Sequence, residues 1–281
     1  MKKLLVKFYS TRIQKACSEL GVPRKVQSAA IVFLQRLYIW HSAIEHDPQH
    51  MMLACLYLAC KAEECYFSAA ELARLAGAPP ALILRHELTL LSAIRYDLVV
   101  YHPYRALTGL WEDWQVWLAA QEQGADSAAP DEQTRQRVKD AALAGADVLL
   151  LSDAPLLFSP GQIALAALRS GALRRGLKLD GFLQHVCGQA GEGGEKAGSA
   201  NALAAVLKVL GEIDALGAQA AAPVEQEQAT RADKVLKTCR AALSKKGGKT
   251  SVEEGKDVEA EGSEETKAEK AKRKRTESAG Q

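Results

Sequence analysis

Residues 53–64, LACLYLACKAEE, decide the fold of this chain, because a nearly all-apolar segment ends there abruptly in charge. The run over residues 51–60 mixes small and large apolar side chains around every face, which is typical of a helix enclosed by other helices. It is too short to cross a bilayer, which needs about 20 apolar residues. Lys61, Glu63 and Glu64 mark the point where this buried helix reaches the surface. The charge pattern alone favours a solvated helix end, and a fixed recognition point is the alternative.

Composition favours an all-α protein. Aromatic residues make up only 6% of the 281 residues, and long segments consist of Ala, Leu, Glu, Lys and Arg, which are good helix formers. Few segments alternate with the period of a strand. The length allows one or two domains with real cores. A net charge of only +2 argues against a protein that coats nucleic acid by bulk electrostatics.

Apolar periodicity and capping signals predict five helices in the first 96 residues. Gly21 ends the first helix, and Asp47 with Pro48 starts the third. Ser68 and Glu71 have the S-x-x-E spacing of a capping box. The second helix carries an apolar stripe of Val26, Ala29, Ala30, Phe33, Leu34 and Leu37. The five predicted helices cover residues 3–20, 24–41, 49–63, 68–77 and 80–95.

A second set of helices is predicted after an extended connector at residues 97–104. Trp111, Trp114 and Trp117 lie on one broad face of its first helix, which indicates packing against a neighbour rather than a ligand site. The order of helix lengths repeats that of the first set and suggests an internal duplication. The predicted helices cover residues 105–121, 131–151, 161–175, 179–186 and 201–216.

The C-terminal part changes character. A further helix is expected within residues 221–245, and residues 246–281 are rich in Gly, Ser, Lys and Glu, so we expect them to be disordered. The tail contains one dense cationic run, which fits either a nuclear import signal or a nucleic-acid patch. A solvating charge run is the alternative, because acidic residues precede it. The run consists of Lys272, Arg273, Lys274 and Arg275.

Metal, cofactor and catalytic sites are not predicted. The N-terminus has no secretory signal and the six cysteines form no C-x-x-C pair, so we expect reduced thiols, with Cys55 and Cys60 buried as small apolar residues. His46 and His50 share an i, i+4 spacing, but Pro48 interrupts the helix between them. The sequence does not place a phosphate-binding, nucleophile or metalloprotease motif (GxGxxG, GxxxxGKS/T, GxSxG or HExxH) where it could function.

Three segments carry a family resemblance. Residues 53–64, residues 86–107 (HELTLLSAIRYDLVVYHPYRAL) and residues 149–168 (LLLSDAPLLFSPGQIALAAL) resemble the cyclin family. The HPYR run is similar to that of the transcription-type members, and GQIALAAL with GLKLDGFL at residues 176–183 favours the H type over the C type.

The resemblance implies a tandem of five-helix cyclin boxes. The first box would cover residues 1–96 and would be N-terminally short, because the chain starts inside the first helix of that box. Either the sequence is short at this end, or the contact of the family's additional N-terminal helix is lost, which would weaken kinase binding. The second box would cover residues 105–220.

The same resemblance implies a regulatory subunit without a catalytic centre. It implies binding to a cyclin-dependent kinase catalytic subunit through Lys61 and Glu87. It also implies a RING-finger assembly factor as third partner, and a nuclear location in association with the general transcription and repair factor. Direct nucleic-acid binding and membrane association are not expected. The alternatives are a C-type Mediator kinase subunit and a DNA-binding double cyclin fold like transcription factor IIB. The second alternative needs a zinc ribbon and a basic face, and the sequence shows neither.

Two residue patterns depart from the family. Residues 5–9 read LVKFY where cell-cycle cyclins carry MRAIL, so docking of RxL-type substrates is not expected. Gln35 replaces the usual aspartate of the second helix, directly before Arg36.

Overall fold

The computed structural model describes residues 1–122, 130–189 and 196–243, and the regular structure in these ranges is helical. Contacts divide the chain into two units, Met1–Ala229 and Thr230–Gln281. The helices of the first set are α1 (Lys2–Leu20), α2 (Arg24–Trp40), α3 (Pro48–Ala62), α4 (Ala69–Ala76) and α5 (Pro80–Ala93). Those that follow are α6 (Pro103–Glu122), α7 (Glu132–Leu149), α8 (Ala154–Leu157), α9 (Pro160–Leu173), α10 (Asp180–Gln189) and α11 (Lys196–Ala221). A last helix, α12, covers residues 226–243.

The enclosed helix predicted from residues 51–60 is confirmed as α3. It packs against α1, α2, α4 and α5, and both Cys55 and Cys60 are fully buried within it. Its start follows from local chemistry, because the Asp47 side chain accepts a hydrogen bond from the backbone N–H of Gln49 at 2.9 Å and Pro48 occupies the first turn. The stripe predicted on α2 is also buried.

The capping box predicted for α4 is present. The backbone N–H of Glu71 donates to Ser68 Oγ at 3.2 Å, and the backbone N–H of Ser68 donates to Glu71 Oε2 at 2.8 Å. Two free amide groups at the helix start are therefore satisfied by side chains. The helix ends at Gly77, whose φ of 61° lies in the left-handed region that glycine tolerates.

In the second set, α9 takes the position that α3 has in the first. It packs against α6, α7, α8 and α11. Its contact with α7 is close because Gly171 has no side chain: a Cβ there would lie 2.8 Å from the backbone nitrogen of Ala142 and 2.9 Å from the carbonyl oxygen of Val138. Trp114 is buried in this core, and Trp111 and Trp117 pack against it, which confirms the packing role predicted for the three tryptophans.

Several predicted boundaries are wrong. Pro103 and Tyr104 were expected in the connector but form the start of α6, because the fixed φ of proline suits the first helical turn. The sequence did not predict α8. Helix α11 continues through Gly217 to Ala221, beyond its predicted end at residue 216. Packing against the Leu149 side chain, which would lie 3.0 Å from a Cβ at Gly217, outweighs the low helix propensity of glycine.

Residues 246–281, including the predicted Lys272–Arg275 signal, lie outside the described residues. Within the described ranges, the helices all lack the combined length and apolarity that a bilayer crossing requires.

Asp147 of α7 joins the two helical sets. Its carboxylate accepts hydrogen bonds from Tyr104 Oη at 2.6 Å, Gln27 Nε2 at 3.1 Å and Arg24 Nε at 3.3 Å. Its carbonyl oxygen accepts from Gln14 Nε2 at 2.7 Å. Burial, with the neighbouring Asp147 carboxylate as the next cause, raises the pKa of Tyr104, so the phenol stays protonated and donates.

Gln35 forms a second link between the sets. It is buried in α2, and its Nε2 donates to the carbonyl oxygens of Leu150 at 2.8 Å and Ser152 at 2.9 Å. An amide can donate to two carbonyl oxygens, whereas an ionised aspartate can only accept. Glutamine at position 35, where the family usually has aspartate, therefore allows two hydrogen bonds to the second set of helices.

Candidate functional site

The ends of α3 and α5 bring two charged residues together. Lys61 lies in the last turn of α3, and Lys61 Nζ donates to Glu87 Oε1 of α5 at 2.6 Å. The lysine side chain is 47% exposed, whereas that of Glu87 is only 10% exposed. The two residues reach each other because α3 and α5 pack side by side. The structure thus places both residues of the predicted kinase-binding pair in one site.

Glu87 occupies a position that its helix would normally give to an apolar residue. Ile83 and Leu90, which lie on the same face at helical spacing, are buried against the first core. A carboxylate on such a face needs an ionic or hydrogen-bonding partner, because its desolvation is otherwise costly. Lys61 supplies that partner, and the pair holds the ammonium group at a fixed place on the surface.

The site keeps Lys61 charged. The hydrogen bond that Lys61 donates to Glu87 is the main cause that raises the pKa of Lys61, although partial burial opposes it. The Nζ atom also lies 5.3 Å from the centroid of the Tyr57 ring, within the range of a cation–π contact. An ammonium has three N–H donors and the bond to Glu87 uses one, so Lys61 can donate to a partner as well.

Exposed apolar side chains lie on the same elements as this charged pair, or close to them in the chain. Leu84 and Leu88 of α5 and Tyr66, shortly after α3, are exposed large hydrophobic residues. Exposed apolar groups around a fixed charge are typical of a protein-binding surface, where apolar contacts give most of the free energy and charges give orientation. We call Lys61, Glu87, Leu84, Leu88 and Tyr66 the α3–α5 surface.

Glu63 anchors the end of α3 instead of facing a partner. Its Oε1 lies 2.9 Å from Nε2 of His102 in the connector, and Lys25 Nζ of α2 donates to its backbone oxygen at 2.7 Å. Glu64 follows in a left-handed conformation with φ of 56°. The solvated-end interpretation therefore does not describe Glu63, which has a local structural role.

The arrangement of this surface is suited to binding a partner. Cys60 precedes Lys61 in the chain, but burial raises the pKa of its thiol to about 12, so the nucleophilic thiolate is scarce at neutral pH. Lys61 and Glu87 form an ion pair in which each charge satisfies the other. Such a pair can recognise backbone groups of a partner by sharing its remaining donors and acceptors.

Sequence reasoning missed Asp147 and the grouping of His41, Glu45 and His46. Asp147 is an acidic residue in the otherwise apolar segment AGADVLL, and a charge in such a segment is the signal that could have identified it. The histidine spacing drew attention to His46 with His50. The structure instead stacks His50 on His86 and places His46 beside His41.

Two family models match the chain. The model described as the cyclin N-terminal domain matches residues 1–99, and the model described as the cyclin C-terminal domain matches residues 102–241. Among curated proteins, Cyclin-H1-1 of Arabidopsis thaliana is 32% identical over 234 residues, which cover 83% of this chain and 65% of the relative. The chain thus spans slightly less than two thirds of that relative's length.

Solved structures share the fold. A chain of the CAK complex of Chaetomium thermophilum bound to ATP-gamma-S matches with a TM-score of 0.65 at 23% identity, covering 85% of this chain and 71% of that one. A chain of the yeast TFIIK complex of Kin28, Ccl1 and Tfb3 matches with a TM-score of 0.58 at 22% identity, covering 77% and 86%. At these identities the likeness establishes the architecture.

Proposed function

The chain belongs to the cyclin family, and from that premise we propose that it is an H-type cyclin, a regulatory subunit that binds and activates a cyclin-dependent kinase. The observation that carries this proposal is the α3–α5 surface, which combines a charged pair with one buried member and exposed apolar side chains on α5 and just after α3. The 32% identity to an H-type relative supports the subtype.

Activation would work by positioning and needs no catalytic group in this chain. Lys61 would donate to backbone carbonyl oxygens of the kinase, and Glu87 would accept from backbone amides or a cation. The exposed leucines of α5 would supply most of the binding free energy. Docking at this surface would hold the regulatory helix of the kinase inward, so that the kinase's own lysine and glutamate pair across its ATP site.

The proposed complex has a third member and a nuclear location. The TFIIK structure that shares this fold contains Tfb3 beside Kin28 and Ccl1, which supports an assembly factor, expected here to be a RING-finger protein. The substrates would be the activation loops of other cyclin-dependent kinases and, within the general transcription and repair factor, the C-terminal repeats of RNA polymerase II. The tail cations Lys272–Arg275 are proposed as the import signal.

Affinity purification of the full chain from its source cells, followed by mass spectrometry, tests this function. We expect stoichiometric recovery of one cyclin-dependent kinase and a RING-finger protein, and the eluate should phosphorylate a kinase activation loop. Recovery of a Mediator kinase would contradict the H-type assignment. Recovery of the folded chain without any kinase would contradict the regulatory role itself.

A further inference from the structure

The loop between α2 and α3 collects three potential metal ligands. His41 caps the end of α2, and Glu45 and His46 follow within the same short turn before α3 begins. One ligand atom from each residue lies within 4.8 Å of the other two. From this geometry we infer that His41, Glu45 and His46 form a binding site for a divalent transition-metal ion, with zinc as the expected ion.

The distances between the candidate ligand atoms fit a zinc ion. His41 Nδ1 lies 3.5 Å from Glu45 Oε2, and His46 Nε2 lies 3.7 Å from Glu45 Oε1. Zinc binds nitrogen and oxygen at about 2.0–2.2 Å, so two ligands of a tetrahedral ion lie roughly 3.4 Å apart. Adjustment of the three side chains would bring the groups, which already lie within 4.8 Å of one another, to that spacing.

The backbone of this loop is held in place before any ion arrives. The backbone N–H of His46 donates to the carbonyl oxygen of Ser42 at 3.0 Å, and the N–H of His41 donates to the carbonyl oxygen of Leu37 at 3.0 Å. Tyr38 Oη of α2 donates to the carbonyl oxygen of His46 at 2.8 Å. A preformed loop reduces the ordering cost of ion binding, which favours useful affinity.

The donor set selects the class of ion. Two imidazoles and one carboxylate suit zinc, copper or nickel, whereas magnesium and calcium prefer oxygen ligands alone. The Glu45 side chain is 57% exposed and that of His46 only 15%, so the site is open on the carboxylate side. Three protein ligands would leave a coordination position for solvent on that side.

The site lies apart from the α3–α5 surface. It precedes Pro48 at the start of α3, whereas Lys61 lies near the end of that helix, about 20 Å away along the axis at the usual rise per residue. Ion binding would cross-link the end of α2 to the loop that precedes α3. The inference does not depend on the proposed kinase partner.

Zinc titration of the purified full chain, produced with a histidine-free tag, tests the site. By calorimetry we expect one zinc ion per chain, and at least about tenfold weaker binding in His41→Ala and His46→Ala. Glu45→Gln, a near-isosteric change at an exposed position, should weaken binding similarly without affecting folding. His86→Ala is the matched control, because His86 stacks on His50 nearby but lies outside the site, and it should bind zinc as the parent does.

Cobalt substitution identifies the ligands independently of affinity. We expect visible absorption of a cobalt ion with nitrogen and oxygen ligands, lost in Glu45→Gln and retained in His86→Ala. Thiolate-to-cobalt charge transfer would place the ion at a cysteine and overturn the inference. Zinc affinity unchanged in Glu45→Gln and His46→Ala, or lost in His86→Ala alone, would also overturn it.

Discussion

Lys61 Nζ and Glu87 Oε1 lie 2.6 Å apart, although the two residues are 26 positions apart in the chain. The bond neutralises a carboxylate that α5 holds almost entirely away from water. The exposed lysine is thereby fixed by a buried partner, which is the property that a recognition point needs.

Replacing Lys61 with alanine should weaken kinase binding strongly. The change removes the oriented ammonium and leaves the Glu87 carboxylate buried without its partner, so a loss of about 2 kcal/mol, or roughly thirtyfold in Kd, is expected. Glu87→Ala should act in the same direction. Binding to the recombinant kinase by calorimetry and activation in a phosphorylation assay would measure both effects.

The control for this change is Arg135→Ala in α7. Arg135 forms an ion pair with Glu132 at 2.7 Å outside the α3–α5 surface, so its loss should leave kinase activation unchanged. Circular dichroism should show the parental helix content in all three variants. Full activation by Lys61→Ala with Glu87→Ala would show that the pair has no role in kinase binding.

Replacing Asp147 with alanine should destabilise the protein. Tyr104, Gln27 and Arg24 lose their shared acceptor, and the hydroxyl of Tyr104 is left partly buried without the carboxylate that accepts from it. We expect the free energy of unfolding to fall by about 3 kcal/mol, as measured by urea titration.

The matched change is Asp153→Ala. Asp153 pairs with Lys3 at 2.7 Å, but both side chains are well exposed, so its removal should cost less than about 1 kcal/mol. Equal losses in the two variants would argue against Asp147 as the link between the helical sets.

Replacing a helical glycine with alanine should stabilise the protein at one position and destabilise it at another. At Gly171 an added Cβ meets backbone atoms of α7 at 2.8 and 2.9 Å, so α7 and α9 must separate, at a cost of about 1–3 kcal/mol. At Gly109, exposed on α6, a Cβ meets nothing within 4 Å, and the better helix propensity of alanine should raise stability by roughly 0.5–1 kcal/mol. Thermal unfolding followed by circular dichroism should give Tm shifts of opposite sign. Shifts of the same sign would contradict the close α7–α9 contact.

The buried thiols should resist alkylation over a wide pH range. Burial raises the pKa of Cys17 and of Cys60 to about 12, so both stay protonated as pH rises from about 7 to 9, where an ordinary cysteine ionises. Because these folded-state pKa values lie above those of the unfolded chain, their contribution to stability is present below about pH 8.5 and declines above it.

Mass spectrometry after iodoacetamide treatment would measure this protection. Native protein should label at Cys17 and Cys60 far more slowly than urea-unfolded protein at every pH in that range. Labelling of Cys60 that increases with pH as in a free thiol would contradict its burial in α3.

Much of the fold follows from local sequence signals. The apolar run at residues 51–60, the Asp47 cap and the Ser68–Glu71 box predict α3 and α4 because caps and burial patterns act over a few residues. Lys61 and Glu87 could be proposed as neighbours from the family resemblance. Their bond, and the buried position of Glu87, required the packing of α5 on α3.

The sequence by itself determined most of the helices, the buried character of α3 and the charged end at Lys61, because each depends on residues that are close in the chain. Only the three-dimensional structure decided the acceptor role of Asp147, the need for glycine at Gly171 and the meeting of His41 with Glu45 and His46. Long-range packing brings Asp147 and Gly171 to their partners, and the turn after α2 sets the histidine geometry. Helical periodicity predicts neither the long-range contacts of Asp147 and Gly171 nor the geometry of the histidine turn.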